Sequence, residues 1–332
     1  MTNTALTAAQ LIALAHSPHT RENYSALGAQ PYLLADLRSG ADAVAPADQH
    51  AVIAWLAQLP CPSIAVGSAD ALAGAFDIAV DTFAETQTLR ANIERTPIAA
   101  MTLAQVLRCT DMLPRAEGLL VESLAYAALQ AGAEFQTWSR ANPPTTVTPD
   151  ATPPLLIERD DARLRVQLNR PARRNAISVE IRDALAELFQ LVCSDTSIER
   201  VDIGGNGACF SIGGDLDEFG TAPNPAHAHA IRSIRLPARY LIDCADRVAF
   251  HVHSACIGAG AEIPAFGHRV TAARNAFFQL PEINFGLIPG AGGCVSITKR
   301  IGRQRAAFMA LSGKKINAKT ALAWGLIDAI VE

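Results

Sequence analysis

The chain has 332 residues, half of them apolar and 18% charged, with a formal net charge of −4. That composition supplies a core for one large domain or two ordinary ones. Its mixed, mildly acidic charge offers no basic patch that would call for nucleic acid or an anionic membrane as partner. The opening MTNTALTAAQ lacks a basic stretch leading into an apolar one, and no charge-free apolar run is long enough for a bilayer. The seven cysteines show no CxxC spacing. The expectation is a cytoplasmic protein with reduced, buried thiols and no zinc site.

In chain order, PYLLADL and PSIAVGS read as short strands, and HAVIAWLAQL and AETQTLRANIER as helices. Ala116–Trp138 is expected to form one amphipathic helix, because Leu119, Leu120, Ser123, Leu124, Ala127 and Ala128 recur at helical spacing. Ala141–Pro154, ANPPTTVTPDATPP, reads as a linker, since its prolines oppose helix and favour extended chain. It separates an N-terminal region, 1–140, α/β or mostly helical, from a second unit at 155–332. There, LLIERDDARLRVQLNRP alternates apolar and polar residues around a turn, the pattern of a β-hairpin. Ser178 is a candidate N-cap for the helix ISVEIRDALAELFQLV, and RVDIGG and RVAFHVH read as buried strands. Strand–helix–strand order with glycine-rich strand exits argues an α/β fold with its chemistry at strand ends.

Several common motifs are missing. There is no GxxxxGK[ST], no GxGxxG after a strand, no GxSxG and no HExxH. His227 and His229, in APNPAHAHA, read as solvated loop residues, because two histidines alone rarely complete a metal site. Three glycine-rich stretches remain. In GGNGACFSIGGDLDEF, Ile212-Gly213-Gly214-Asp215 is a tight elbow, either an ordinary turn with Asp215 as a cap or a place where bare backbone N–H groups meet a ligand. In CIGAGAEIPAF, Gly258-Ala259-Gly260 precedes an expected helix start, which presents free N–H groups and the positive end of a dipole. Two such donors on one carbonyl oxygen would form an oxyanion hole. Glu262 sits in this stretch among small apolar residues. In LPEINFGLIPGAGG, Glu282 follows Pro281; taken alone, it reads as an exposed turn residue.

Together these stretches resemble the crotonase superfamily, the enoyl-CoA hydratase/isomerase fold. LNRPARRNAIS, ACFSIGGDLDEF, HSACIGAGAEIPAF, FFQLPEINFGLIPGAGG and INAKTALAWGLIDAIV are similar, in order and spacing, to that family's successive segments. The resemblance covers about 156–332 and implies a spiral of ββα units. By motif position it implies Gly214 and Ala259 as oxyanion donors to a thioester carbonyl. Glu262 and Glu282 would be the two glutamates of a hydratase, and Gly290 would help hold the water. Glu282 is expected to face Cα as acid/base, with Glu262 activating water. CoA contacts are expected from the Ile212 carbonyl and from Arg173 or Arg174, since Ala172 and Ala208 stand where some members carry lysine. The implied substrate is a coenzyme A thioester, with no other cofactor and no metal. A homo-oligomer, trimer or hexamer, is implied as well. Isomerisation, thioester hydrolysis and non-catalytic acyl-CoA binding are the alternatives.

Two departures fall inside CIGAGAEIPAF. Ala259 replaces the family's glycine, where a methyl either narrows the pocket or resists a positive φ. Pro264 removes a helix hydrogen bond if it lies past the first turn. The sequence also ends at LIDAIVE, whereas family members continue into helices that cover the CoA site. A similar texture runs from Leu89 to Trp138, and FDIAVD just upstream resembles the step that precedes it. Either this is an unrelated helical region, or the front half is a degenerate crotonase-like remnant whose tail helices, at 85–140, serve the second half.

Overall fold

The computed structural model describes residues 4–17, 19–38, 44–67, 71–145 and 150–332. Part of the linker stretch, 146–149, lies outside the described residues. The front of the chain runs α1 (Ala8–Ala15), β1 (Leu33–Asp36), α2 (Pro46–Leu56), β2 (Ser63–Val66) and β3 (Ile78–Val80). The three strands pair in parallel in the order β1-β2-β3. Their side chains alternate between two cores, as strand geometry requires. Leu33, Ala35 and Ala65 join Leu11, Trp55 and Phe76 on one face, whereas Leu34, Ile64, Val66 and Ile78 join the main core on the other.

Four helices follow: α3 (Phe83–Arg95), α4 (Pro97–Met112), α5 (Arg115–Ala131) and α6 (Ala133–Ala141). The expected single helix over Ala116–Trp138 is two. Gly132 ends α5 with φ −76° and ψ 154°, an extended conformation that breaks the helical ladder, and α6 restarts immediately.

The second half contains β4 (Leu155–Asp160), β5 (Arg163–Leu168), α7 (Val179–Ser194), β6 (Arg200–Gly205), α8 (Pro225–Arg235) and α9 (Ala238–Cys244). It continues with β7 (Val248–Val252), β8 (Ala255–Ile257), α10 (Ala259–Glu262), β9 (Arg269–Ala273), β10 (Phe277–Gln279) and α11 (Gly293–Ile301). It closes with α12 (Arg303–Ser312), β11 (Ile316–Asn317), α13 (Ala318–Trp324) and β12 (Ala329–Val331). β4 and β5 form the hairpin, and the Ser178 side chain caps α7 by accepting from the Ile181 N–H.

The strands form two sheets. A large one has the order β12-β9-β7-β6-β5-β4, and a small one the order β11-β10-β8. Successive repeats give their first strand to the large sheet and their second to the small one: β7 then β8, and β9 then β10. Ser211, after β6, adds a bridge to Cys256 of β8. This is the ββα spiral, an α/β fold.

His227 and His229 lie on α8 rather than in a loop. Asn224 caps that helix and Pro225 occupies its first turn, a start signal present in the sequence. Helices α4 and α5 pack on α11, and α5 also packs on α8. Front-half residues such as Leu103, Leu107 and Leu119 therefore share one core with Val295 and Met309 of the second half.

Candidate functional site

A cleft of about 450 Å³ opens where α5 meets α8, α10 and the turn before α11. Gly214, Ala259, Glu262, Glu282 and Gly290 all line it. Sequence positions spread over some eighty residues thus meet in one place.

The two candidate donors have free N–H groups: among the described residues no protein acceptor pairs with the N–H of Gly214 or Ala259. Gly214 is bridged to Ile177, and a Cβ on it would lie 2.8 Å from the Phe219 ring. The unusual backbone beside the second donor falls on Gly258, at φ 49° and ψ −123°. Ala259 simply opens the one-turn α10, where its methyl is tolerated and its N–H has no intrahelical partner. Pro264 starts the next short turn, Pro264–Phe266, so it comes after Glu262 and costs that turn no donor.

Gly258 also lets the carboxyl groups in. A Cβ there would lie 2.7 Å from Glu282 Oε1 and 3.9 Å from Glu262 Oε1. Glu262 is 2% exposed and Glu282 9%, so Glu282 is not the exposed turn residue that its type suggests. Their surroundings differ. Glu262 Oε2 accepts from the N–H groups of Ala291 (2.7 Å) and Gly293 (2.8 Å). Gly293 must be glycine for this approach, because its Cβ would meet Glu262 Cγ at 2.6 Å. Glu282 Oε2 is buried with no hydrogen-bond partner.

A third buried carboxyl, Glu122 of α5, belongs to none of the glycine-rich motifs. It is 1% exposed, and its oxygens accept from the N–H groups of Gly292 (2.7 Å) and Cys294 (2.8 Å). Four successive N–H groups at the start of α11 thus alternate between Glu262 and Glu122, where the helix dipole favours negative charge. Burial outweighs this help. It raises the Glu262 carboxyl to about 7. Burial, with the charge of Glu262 added, pushes Glu122 and Glu282 well above the usual carboxylate range. Ionising all of them together is costly, so they divide protons among themselves.

Tyr126, also on α5, packs against Gly290, whose Cβ would strike its ring at 2.4 Å. Trp138 of α6 packs on Phe285 (4.8 Å between ring centroids) and Phe219 (6.2 Å). The front half therefore walls the cleft. The outer candidates are less converged. Arg173 is committed to ion pairs with Asp215 (2.9 Å) and Asp217 (2.6 Å). Arg174 is exposed in a left-handed conformation, and its carbonyl accepts from the Ile212 N–H at 3.2 Å. Among the described residues no group of three or more His, Cys, Asp or Glu side chains could hold a metal ion. None of their helices is long and apolar enough to cross a membrane.

The two-layer ββα spiral, with free N–H donors and buried carboxyls lining a cleft at its strand exits, is an α/β core with the polar groups of a candidate active site. Residues 158–332 match the family model for enoyl-CoA hydratase/isomerase, and the chain belongs to that family, within the crotonase superfamily. It is 35% identical to the 2,3-dehydroadipyl-CoA hydratase of Escherichia coli over 53% of this chain and 68% of that one. It is 33% identical to the 1,2-epoxyphenylacetyl-CoA isomerase of the same organism, over 51% and 66%. An enoyl-CoA hydratase structure from Mycobacterium smegmatis superposes with a TM-score of 0.51 at 29% identity, covering 54% of this chain and 70% of that one. The chain spans about two thirds of the length of these relatives, and the family model falls on its second half.

Proposed function

We propose that the cleft adds water reversibly across the double bond of a 2-enoyl-CoA thioester to give a 3-hydroxyacyl-CoA. The observation that carries this reading is the pair of buried carboxyls flanking Gly258, one held by N–H donors and one with an unpartnered oxygen. A double-bond shift needs one proton-transfer group; hydration needs a base for water and an acid for carbon.

In the proposed reaction the thioester oxygen sits between the N–H groups of Gly214 and Ala259. Those donors stabilise the enolate oxygen as charge develops, each by roughly 3 kcal/mol. Ionised Glu262, with its acidity near neutrality, removes a proton from a water lying beside Gly290, and the water oxygen bonds to Cβ. Electrons move through the double bond onto the thioester oxygen. Glu282, kept neutral by burial, gives its proton to Cα, and transfer of the proton gained by Glu262 to Glu282 restores both groups. Each step is reversible, so the same groups dehydrate a 3-hydroxyacyl-CoA. For the CoA end, Arg174 rather than the engaged Arg173 is the freer cation beside Ile212.

We also infer that α3–α6 serve as the cover of this site, supplied from the front of the chain. Three contacts support that reading: Tyr126 lines the cleft against Gly290, Trp138 packs on Phe219 of its wall, and Glu122 holds the N–H groups of Gly292 and Cys294 just beyond it. Incubation with crotonyl-CoA in 18O-labelled water tests the reaction type. Hydration yields a 3-hydroxyacyl-CoA carrying one labelled oxygen. A double-bond shift with no oxygen gained, or free CoA released, would replace this reading with isomerisation or thioester hydrolysis.

A further inference from the structure

Arg232 of α8 lines the same cleft as Glu262 and Glu282. Its guanidinium lies 4.6 Å from the centroid of the Tyr126 ring, the same ring that covers Gly290. The cation is therefore one aromatic ring away from the PGAGG turn. Its Nε donates to Ser123 Oγ at 3.0 Å, one terminal nitrogen to the Ser123 carbonyl at 3.3 Å and the other to Gln130 Oε1 at 3.4 Å. All three acceptors are neutral and two of the bonds are long, while a guanidinium carries five N–H donors.

Among the described residues Arg232 forms no ion pair, whereas Arg163, Arg170, Arg173 and Arg300 each meet a carboxylate. Glu122, one turn from Tyr126 on the same helix, directs both oxygens to the start of α11. Burial works against the charge of Arg232 and lowers its basicity. Glu122 acts on it only at a distance; a half-buried cation without an ion-pair partner is costly, and a binding site is where such a cost is offset by ligand. The neighbouring wall is apolar, with Ile231, Leu236 and Ile263, so it suits the methylenes of an acyl chain.

We propose that Arg232 is a subsite for a carboxylate at the far end of the acyl chain, so that the preferred ligands are CoA thioesters of dicarboxylic acids. The fork of a guanidinium suits a carboxylate, and the Tyr126 ring beside it favours the charged form. This rests on reading the cleft as an acyl-CoA site, but not on the reaction performed there.

Calorimetric binding of saturated acyl-CoAs, which cannot be hydrated, tests it. Pairs of equal chain length from four to eight carbons differ only in ending in methyl or carboxylate. The full-length protein is expected to favour the carboxylate at its best-fitting length by about tenfold or more, the value of one hydrogen bond to a charged group. Arg232→Met should erase that preference, and Arg232→Lys should retain part of it. If Arg232 instead met a CoA phosphate, substitution would weaken both members of a pair equally, and the proposal would fail. A wild-type preference for the methyl end at every length would overturn it without any variant. Carboxylate preference without hydration of any 2-enoyl-CoA would leave this subsite standing and remove only the proposed reaction.

Discussion

Glu282 is buried, and only its own backbone N–H favours its ionised form. Glu262 has two further N–H donors and a carboxyl near 7. The difference predicts a bell-shaped pH profile for kcat/KM. Activity should rise through about pH 7 as Glu262 ionises and fall at higher pH as Glu282 loses its proton. A profile flat from pH 5 to 9 would contradict the assignment. Stability carries the opposite sign. A carboxyl whose folded pKa is raised stabilises the fold fully below its unfolded value, and that contribution is lost as pH rises through the folded one. Glu282→Gln should therefore raise Tm little at pH 5 and increasingly towards pH 9, measured by calorimetry. A variant with lower Tm at high pH would show that the charged form is held by something other than the groups described.

The start of α11 is the element on which the site depends. Four consecutive N–H groups are taken by carboxyls from α10 and from α5, two elements far apart in sequence. Glu122→Ala would leave the Gly292 and Cys294 donors buried and unpaired. A loss of roughly 2–5 kcal/mol in unfolding free energy is expected from denaturant titration, with a fall in kcat as the turn carrying Gly290 loosens. An unchanged midpoint would mean that water or neighbouring groups satisfy those donors. This element also marks the limit of sequence reading. The placement of Glu262 and Glu282 in one cleft is legible in the sequence because their motif fixes short-range spacing around glycines whose missing Cβ atoms make room for them. That of Glu122 is not, because nothing local distinguishes it from an exposed helical glutamate; only tertiary packing brings it to α11. The break at Gly132 is hidden because helical periodicity continues across it, whereas the start of α8 is signalled by Asn224-Pro225.

Across the whole molecule, the α/β class and the spiral of 155–332 followed from strand pattern and family resemblance. The packing of the front half could not be derived that way. Its small parallel sheet sends one face into a local core and the other into the shared one. Polar ties reinforce the join. Asp77 holds both Arg108 and Arg303, and the Thr110 hydroxyl donates to the Cys294 carbonyl. A fragment of residues 155–332 should therefore aggregate or lack activity, because it exposes the faces of α11 and α12 that α3–α5 cover. A stable, active fragment would show that the front half is dispensable and that Glu122 does not contribute to the site.

The most direct test of the central claim is loss of the enoyl-thioester absorbance band with a panel of 2-enoyl-CoAs, methyl-ended and carboxylate-ended, for wild type, Glu262→Gln and Glu282→Gln. Wild type should consume at least one of them to the 3-hydroxyacyl-CoA. Each variant should be slowed by roughly 10²–10⁴-fold, the usual worth of a general acid or base, while still binding a saturated acyl-CoA. Tight acyl-CoA binding by wild type with no hydration across the panel, or variants that hydrate at the wild-type rate, would contradict the account.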